Sequence, residues 1–149
     1  MDTTRTAPVH GSLTSAHAEF LAGRHFATLA TIDEDGAPRQ AVIWYRLEPD
    51  GRILLNSRQS RRWPNNLLRD PRLAIAVPDV ADALRWLGMT GVVDEVVTDQ
   101  GQARDDIVAL ARRYSVDGIA DPAEEARFRS EQRITFLARI AGIHDHLEG

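Results

Sequence analysis

The sequence contains no cysteine, which removes both a disulfide framework and any thiolate metal centre. A reducing compartment is then the simplest setting, the cytoplasm by default. Lysine is absent too: all 18 basic residues are arginine. Any anion site must be built from guanidinium groups, whose planar fork suits a two-point grip on phosphate or carboxylate. No window comes near the ~18 uninterrupted apolar residues of a membrane-spanning helix, so no membrane partner is expected. Residues 1–12 lack an apolar stretch behind basic residues, which argues against a secretory leader and marks them as a loose tail. A net charge of −4 argues against a nucleic-acid surface, which is usually basic.

What is present is the balance of a globular protein, with 43% apolar and 27% charged residues. The 149 residues fit one domain, expected over 13–149. Leu13, Ala16, Phe20 and Leu21 fall at helical spacing, with Ser12 as a candidate N-cap and Gly23 as the stop. Apolar runs over 25–32 and 39–47 flank the turn Asp33-Glu34-Asp35-Gly36 and predict a hairpin. That turn lacks the spacing and closing glutamate of a calcium loop.

A second turn, Glu48-Pro49-Asp50-Gly51, leads to a strand over 52–56, and Leu67 and Leu68 mark a short helix stopped by Asp70-Pro71. Strands follow over 73–77 and 84–97, the latter bent at Gly88 or Gly91. An amphipathic helix covers 103–114, a more polar one opens at Asp121-Pro122, and a last strand runs over 133–140. Six strands joined mostly by tight turns, with about four flanking helices, predict an antiparallel sheet closed into a barrel.

Between Arg39 and Arg72 a strand pair leads into Ser60-Arg61-Arg62 at the mouth of a helix. A hydroxyl, two guanidiniums and the free amides of a helix N-terminus make a sensible cradle for a phosphate. The competing reading is a solvated cluster of Arg58, Arg61 and Arg62 with Ser60 as an ordinary cap.

The ordered segments ATLATIDEDGAPRQAVIWYR and ILLNSRQSRRWPNNLLRDPRLAIAVP resemble the core of the pyridoxamine-phosphate-oxidase-like family. The resemblance implies a mainly β, six-stranded split β-barrel that binds FMN or a related cofactor at the interface of a homodimer. Carried over by position, Ala41, Val42, Ile43 and Trp44 would line the cofactor ring, and Leu55, Asn56 and Ser57 would contact the ring and sugar-like chain. Ser60, Arg61, Arg62 and Asn66 would hold the phosphate. Arg46 stands where the oxidase branch has a basic residue.

Trp86 stands where that branch places a flavin-contacting glutamine, and the C-terminal GIHDHLEG lacks its basic product-recognising residues. Both departures are more similar to the branch that uses the deazaflavin coenzyme F420. The function implied is a coenzyme F420-dependent oxidoreductase that transfers a hydride to a small electron-poor molecule. The alternatives are an FMN-dependent oxidase or reductase and a non-enzymatic flavin, deazaflavin or haem carrier. A basic groove from Arg39, Arg58 and Arg85 for the oligoglutamate tail would favour the deazaflavin over FMN.

The cofactor carries the redox step, so no catalytic residue and no metal ligand is assigned. Tyr45, His25 and His144 could each donate a proton in principle, but packing roles for Tyr45 and His25 compete with that. His144-Asp145-His146 reads as an exposed tail rather than a metal site. Trp63 either shields the cofactor or packs the helix.

Overall fold

The computed structural model describes residues 13–148; Ser12, the expected first cap, lies outside them. Helix α1 (Ser15–Leu21) is capped by Thr14, whose hydroxyl accepts the His17 N–H while His17 Nδ1 accepts the Thr14 N–H. This reciprocal pairing satisfies two amides that the helix itself leaves open. Because Nδ1 accepts, the ring proton sits on Nε2 and is donated to Asp145 at 2.7 Å. The start of the domain is thereby tied to its last strand.

The remaining elements are β1 (Ala27–Ile32), β2 (Pro38–Ile43), β3 (Arg46–Leu47), β4 (Ile53–Arg58), α2 (Arg62–Arg69), β5 (Arg72–Pro78), β6 (Trp86–Val97), α3 (Gln100–Tyr114), α4 (Pro122–Ser130) and β7 (Arg133–His146). They form one sheet in the order β2-β1-β5-β6-β7-β4-β3, with every neighbouring pair antiparallel. Gly36 takes the positive φ of 86° that the β1–β2 turn needs.

Seven strands stand where six were expected, because the run over 39–47 divides into β2 and β3 at Trp44-Tyr45. The last strand also runs further than expected. His144 and His146 pair with Gly88 and Trp86 of β6, so the supposed tail is sheet.

The break at Trp44-Tyr45 dictates the shape of the sheet. A flat sheet of seven strands would hold its edges about 29 Å apart, at about 4.8 Å per strand. The edges β2 and β3 are joined by two residues, a link that spans at most about 11 Å when extended. The sheet must therefore curl until its edges meet, which gives a split barrel closed by the chain rather than by hydrogen bonds. Tyr45, fully buried, fills the seam and donates its hydroxyl to the Leu21 carbonyl at 2.8 Å.

Alternate residues point into the barrel, where Leu29, Leu55, Leu87 and Phe136 have no exposed surface. A second cluster forms outside, where Ile107, Val108, Leu110 and Phe128 of α3 and α4 pack on Leu54 and Leu137. Strands β4 and β7 are thus covered on both faces, which accounts for their continuous apolar runs. The opposite outer face is different. Thr28, Ala76, Gly88 and His144 form one row across β1, β5, β6 and β7, and Ala30, Ala74, Thr90 and Gly142 form the next. Small side chains leave this face shallow, in a depression of about 510 Å³.

The β6–β7 register shifts between Thr90 and Gly91, where Ala141 of β7 is skipped, and again between Val93 and Glu95, where Asp94 of β6 is skipped. A Cβ at Gly91 would lie 2.7 Å from the Arg139 carbonyl oxygen, a backbone atom that cannot swing away. The variant Gly91→Ala is expected to lose about 1–3 kcal/mol in urea unfolding, the usual cost of overpacking a tight interior. A loss below a few tenths would show that the β6–β7 crossing is not close-packed there.

Candidate functional site

Two adjoining clefts open beside the β2–β3 seam. The first encloses about 380 Å³ and takes one wall from Phe26 and the β2 run Ala41-Val42-Ile43-Trp44. Its floor includes Asn56, Ser57 and Arg58 of β4, and its far wall is Ile107 and Leu110 of α3 with Arg127 and Phe128 of α4. Arg61 and Trp63 at the start of α2 and Arg133 of β7 close one end. The second cleft, about 440 Å³, shares Ala41, Arg61 and Trp63 with the first and adds Thr31, Arg39, Gln40 and Arg62. Shared walls make the two a continuous groove.

The apolar end is aromatic. Phe26 stacks on Tyr114 at 5.4 Å between ring centroids, Tyr114 stacks on Trp44 at 5.3 Å, and Phe128 meets Trp44 edge-on at 6.4 Å. Such a wall suits a flat conjugated ring, because offset and edge contacts are favourable beyond the area they bury. Phe26 and Val42 keep 46% and 73% of their surface exposed, unusual for side chains of this kind side by side.

The other end is cationic. Arg58, Arg61, Arg127 and Arg133 line the first cleft, and among the described residues no carboxylate does. Arg61 is the N-cap of α2, yet its side chain makes no capping bond, and Pro64 removes one further donor from the first turn. The amides of Arg62 and Trp63 therefore begin a helix without a side-chain cap, an arrangement that favours an anion. Ser60, read from sequence as a possible cap, is not the cap; it is exposed and lines neither cleft.

Several expected contacts are committed elsewhere. Asn66 is buried, donating to Thr31 Oγ1 at 3.1 Å and Asp33 at 3.0 Å and accepting from Arg69, so its amide seats α2 on β1 and lines neither cleft. Leu55 points into the barrel core. Asn56 lies in the floor, but its amide donates to the Ala103 carbonyl and to Thr135, while Oδ1 accepts from Arg133. Arg62 is partly held by Asp33 at 3.3 Å, alongside Arg39 at 2.6 Å. These partners keep the Asp33 carboxyl below its ordinary pKa, Arg39 most of all and then Asn66.

Trp86 lies on another face. It stacks on His146 at 4.3 Å and lines the shallow depression over β5, β6 and β7. Arg46 pairs with Glu48 at 2.6 Å, and Arg85 pairs with Asp79 and lies over the Phe20 ring, outside both clefts. Sequence reasoning missed Phe26, Arg127, Phe128 and Arg133, which reach the groove from elements distant in the chain. An arginine opening an apolar strand, as Arg133 does, was the one available signal.

Over residues 13–139 the sequence matches the family described as pyridoxamine 5'-phosphate oxidase. The chain belongs to that family. Its architecture recurs in solved structures at identities that speak to fold alone. An F420 reductase superposes with a TM-score of 0.73 at 21% identity, covering 89% of this chain and 98% of that one. A conserved hypothetical protein of Mycobacterium tuberculosis gives 0.71 at 24% identity, covering 97% and 91%. A haem storage protein of Vibrio cholerae gives 0.63 at 18%, covering 85% and 89%. No curated protein matches the chain in sequence.

As a member of the pyridoxamine 5'-phosphate oxidase family the chain carries a groove that is aromatic at one end and cationic at the other. Both suggested proton donors near the seam are engaged by the frame. Tyr45 is buried, its hydroxyl bound to Leu21, with burial raising its pKa far above the ordinary value. His25 stacks on Phe20 at 4.3 Å, and its Nδ1 accepts the Val80 N–H at 3.1 Å, which fixes the neutral tautomer.

Burial lowers the His25 pKa below 6.5, and the opposing pull of Asp79 does not reverse this. A histidine kept neutral by the fold contributes stability that is fully present above the unfolded pKa and is lost as pH falls through 6.5 toward the depressed folded value. Thermal unfolding between pH 7 and pH 5 should show stability falling more steeply in the wild type than in His25→Phe. Equal slopes in the two proteins would remove His25 as a source of the acid sensitivity.

Proposed function

We propose that this protein is a coenzyme F420-dependent oxidoreductase, with FMN as the alternative cofactor. The observation that carries the reading is the single groove with an aromatic wall at one end and, at the other, four arginines with no carboxylate in the lining among the described residues. A ring bearing a phosphate satisfies both ends at once. When bound, such a cofactor supplies hydride chemistry at its ring.

The chain's own residues bind, orient and exclude water. Ala41, Val42, Ile43 and Trp44 would lie along the ring, and Ser57 would sit beneath the sugar-like chain. Arg58, Arg61 and Arg62 would take the phosphate, helped by the open first turn of α2. Arg39 lies in the adjoining cleft, so cationic groups continue past the phosphate end. That continuation suits a deazaflavin with further anionic groups better than FMN, although Arg85 stands outside it. A small electron-poor substrate would approach over the exposed Phe26 and Val42.

The same groove disfavours a haem carrier. Among the described residues no histidine lines either cleft, and haem iron wants an axial ligand.

The shallow face of Thr28, Ala30, Ala74, Ala76, Gly88, Thr90 and Gly142 would seat a second copy. Small side chains let two sheets approach closely, and Gln40 lines both this face and the Arg61 cleft. A dimer formed there brings a partner to the edge of the groove, with Trp86 offered across the interface. Light scattering at micromolar concentration should give twice the chain mass, and replacing Ala74 with Arg should halve it. A wild-type monomer would overturn the interfacial site.

Cofactor choice is tested by titrating the apo-protein with coenzyme F420 and with FMN, followed by fluorescence. Tighter binding of F420 is expected. Arg61→Ala should weaken it about tenfold or more, since a charge-assisted hydrogen bond contributes about 1.5–3 kcal/mol. Arg62→Ala should cost less, because Asp33 already holds that side chain. Unchanged affinity in both variants would sink the assigned phosphate site.

A further inference from the structure

We infer that Arg133 is an inner anion contact, the buried member of the arginine set that grips the ligand phosphate from the β7 side of the groove. The inference rests on the reading that the cleft takes a phosphate-bearing ring, and it assigns a residue outside the Ser60-Arg61-Arg62 segment.

The argument starts from how the side chain is held. Arg133 opens β7, opposite Arg58 in the β4–β7 register. Its side chain is only 6% exposed. Nε donates to Asn56 Oδ1 at 3.0 Å, Nη1 donates to Glu131 at 2.8 Å, and the guanidinium lies 5.3 Å over the Phe128 ring. A guanidinium has five donors in a rigid fork, and Nη2 finds no partner among the described residues. Buried donors are almost always satisfied, so one left open at the wall of a cleft calls for an acceptor from the ligand.

Asn56 fixes the direction of that fork. Its amide is anchored by the Ala103 carbonyl and by Thr135, whose hydroxyl donates to the buried Asp106. A chain of satisfied groups thus runs from α3 through β4 to Arg133 and locks it in place. Preorganisation of this kind removes the entropy cost that a free surface arginine brings to binding.

The surroundings leave the cation short of negative charge. Glu131 is shared, since its other oxygen accepts from Arg127 at 3.3 Å. Burial lowers the Arg133 pKa against the opposing pull of Glu131, and Arg61 and Arg58 press in the same direction. Elsewhere most arginines of this acidic chain sit on carboxylates or backbone carbonyls. Arg58 and Arg61 have no side-chain partner among the described residues, and both line the cleft with Arg133. Three guanidiniums converging without enough carboxylate define a site for a doubly charged oxyanion.

The test compares FMN with riboflavin, which share a ring and differ by the phosphate. Wild type, Arg133→Gln and Arg133→Lys are titrated with each. Arg133→Gln should weaken FMN about tenfold, the loss of one charge-assisted bond, while riboflavin changes less than about twofold on the same scale. Arg133→Lys should fall between. Equal losses for both ligands would mean that Arg133 only holds the fold, and no loss for FMN would remove the contact; either result overturns the inference.

A second readout needs no ring. Pyrophosphate should raise the thermal midpoint of the wild type, and the rise should disappear in Arg133→Gln and shrink in Arg133→Lys. If neither coenzyme F420 nor FMN binds the wild type, the proposed function fails, while pyrophosphate protection that depends on Arg133 still upholds the anion contact. Protection that persists unchanged in both variants overturns it. The lysine variant keeps the charge at the buried position and covers the case in which glutamine prevents folding.

Discussion

Two residues hold the architecture together. Trp44 and Tyr45 connect strands that sit at opposite edges of a seven-stranded sheet, and so short a link forces the sheet to curl. The same dipeptide then splits its work by the alternation of an extended chain. Tyr45 turns inward, seals the seam and hydrogen-bonds the end of α1. Trp44 turns outward and becomes the centre of the aromatic wall. Closure of the fold and construction of the cleft are consequences of one constraint.

Around that seam the helices are placed by polar contacts as much as by apolar burial. Arg113 donates to the carbonyls of Leu21, Ala22, Gly23 and Tyr45, which caps the end of α1 and pins α3 across it. Asn66 and Asp33 seat α2, and Arg112–Glu125 and Arg129–Asp105 tie α4 to α3. Phe128 is the one side chain of α4 that is buried, so that helix is held as a wall of the cleft by few contacts. Segments with few buried apolar contacts open at low free energy, so α4 is the wall of the cleft that moves most cheaply.

Charge distribution makes the same division between frame and site. The chain is acidic overall, with a net charge of −4, yet the groove collects guanidiniums and excludes carboxylates from its lining. Self-neutralised pairs such as Arg72–Asp70 and Arg52–Asp50 lie where the chain needs turns and edges tied down. Arg58 and Arg61, which pair with no side chain among the described residues, both line the first cleft. Exposed ion pairs contribute little to stability, so those pairs fix local turns more than they hold the fold.

Most elements and their order were legible in the sequence. Hydrophobic period, turn residues such as Asp35-Gly36 and the stop at Asp70-Pro71 are local signals, and they located β1, β4, β5, α3 and α4 within a few residues. The ordered motif from Ala27 to Arg72 pointed to the family, which the match over 13–139 shows. Tertiary structure alone decided the rest. It divided the second strand at Trp44-Tyr45, since only closure of the sheet requires that break. Asn66 and Leu55 turned into the frame because packing, not spacing, sets which way a side chain faces. Phe26, Phe128 and Arg133 entered the groove from opposite ends of the chain. Contacts between residues a hundred positions apart leave no local periodicity, and a sequence read by its neighbours cannot contain them.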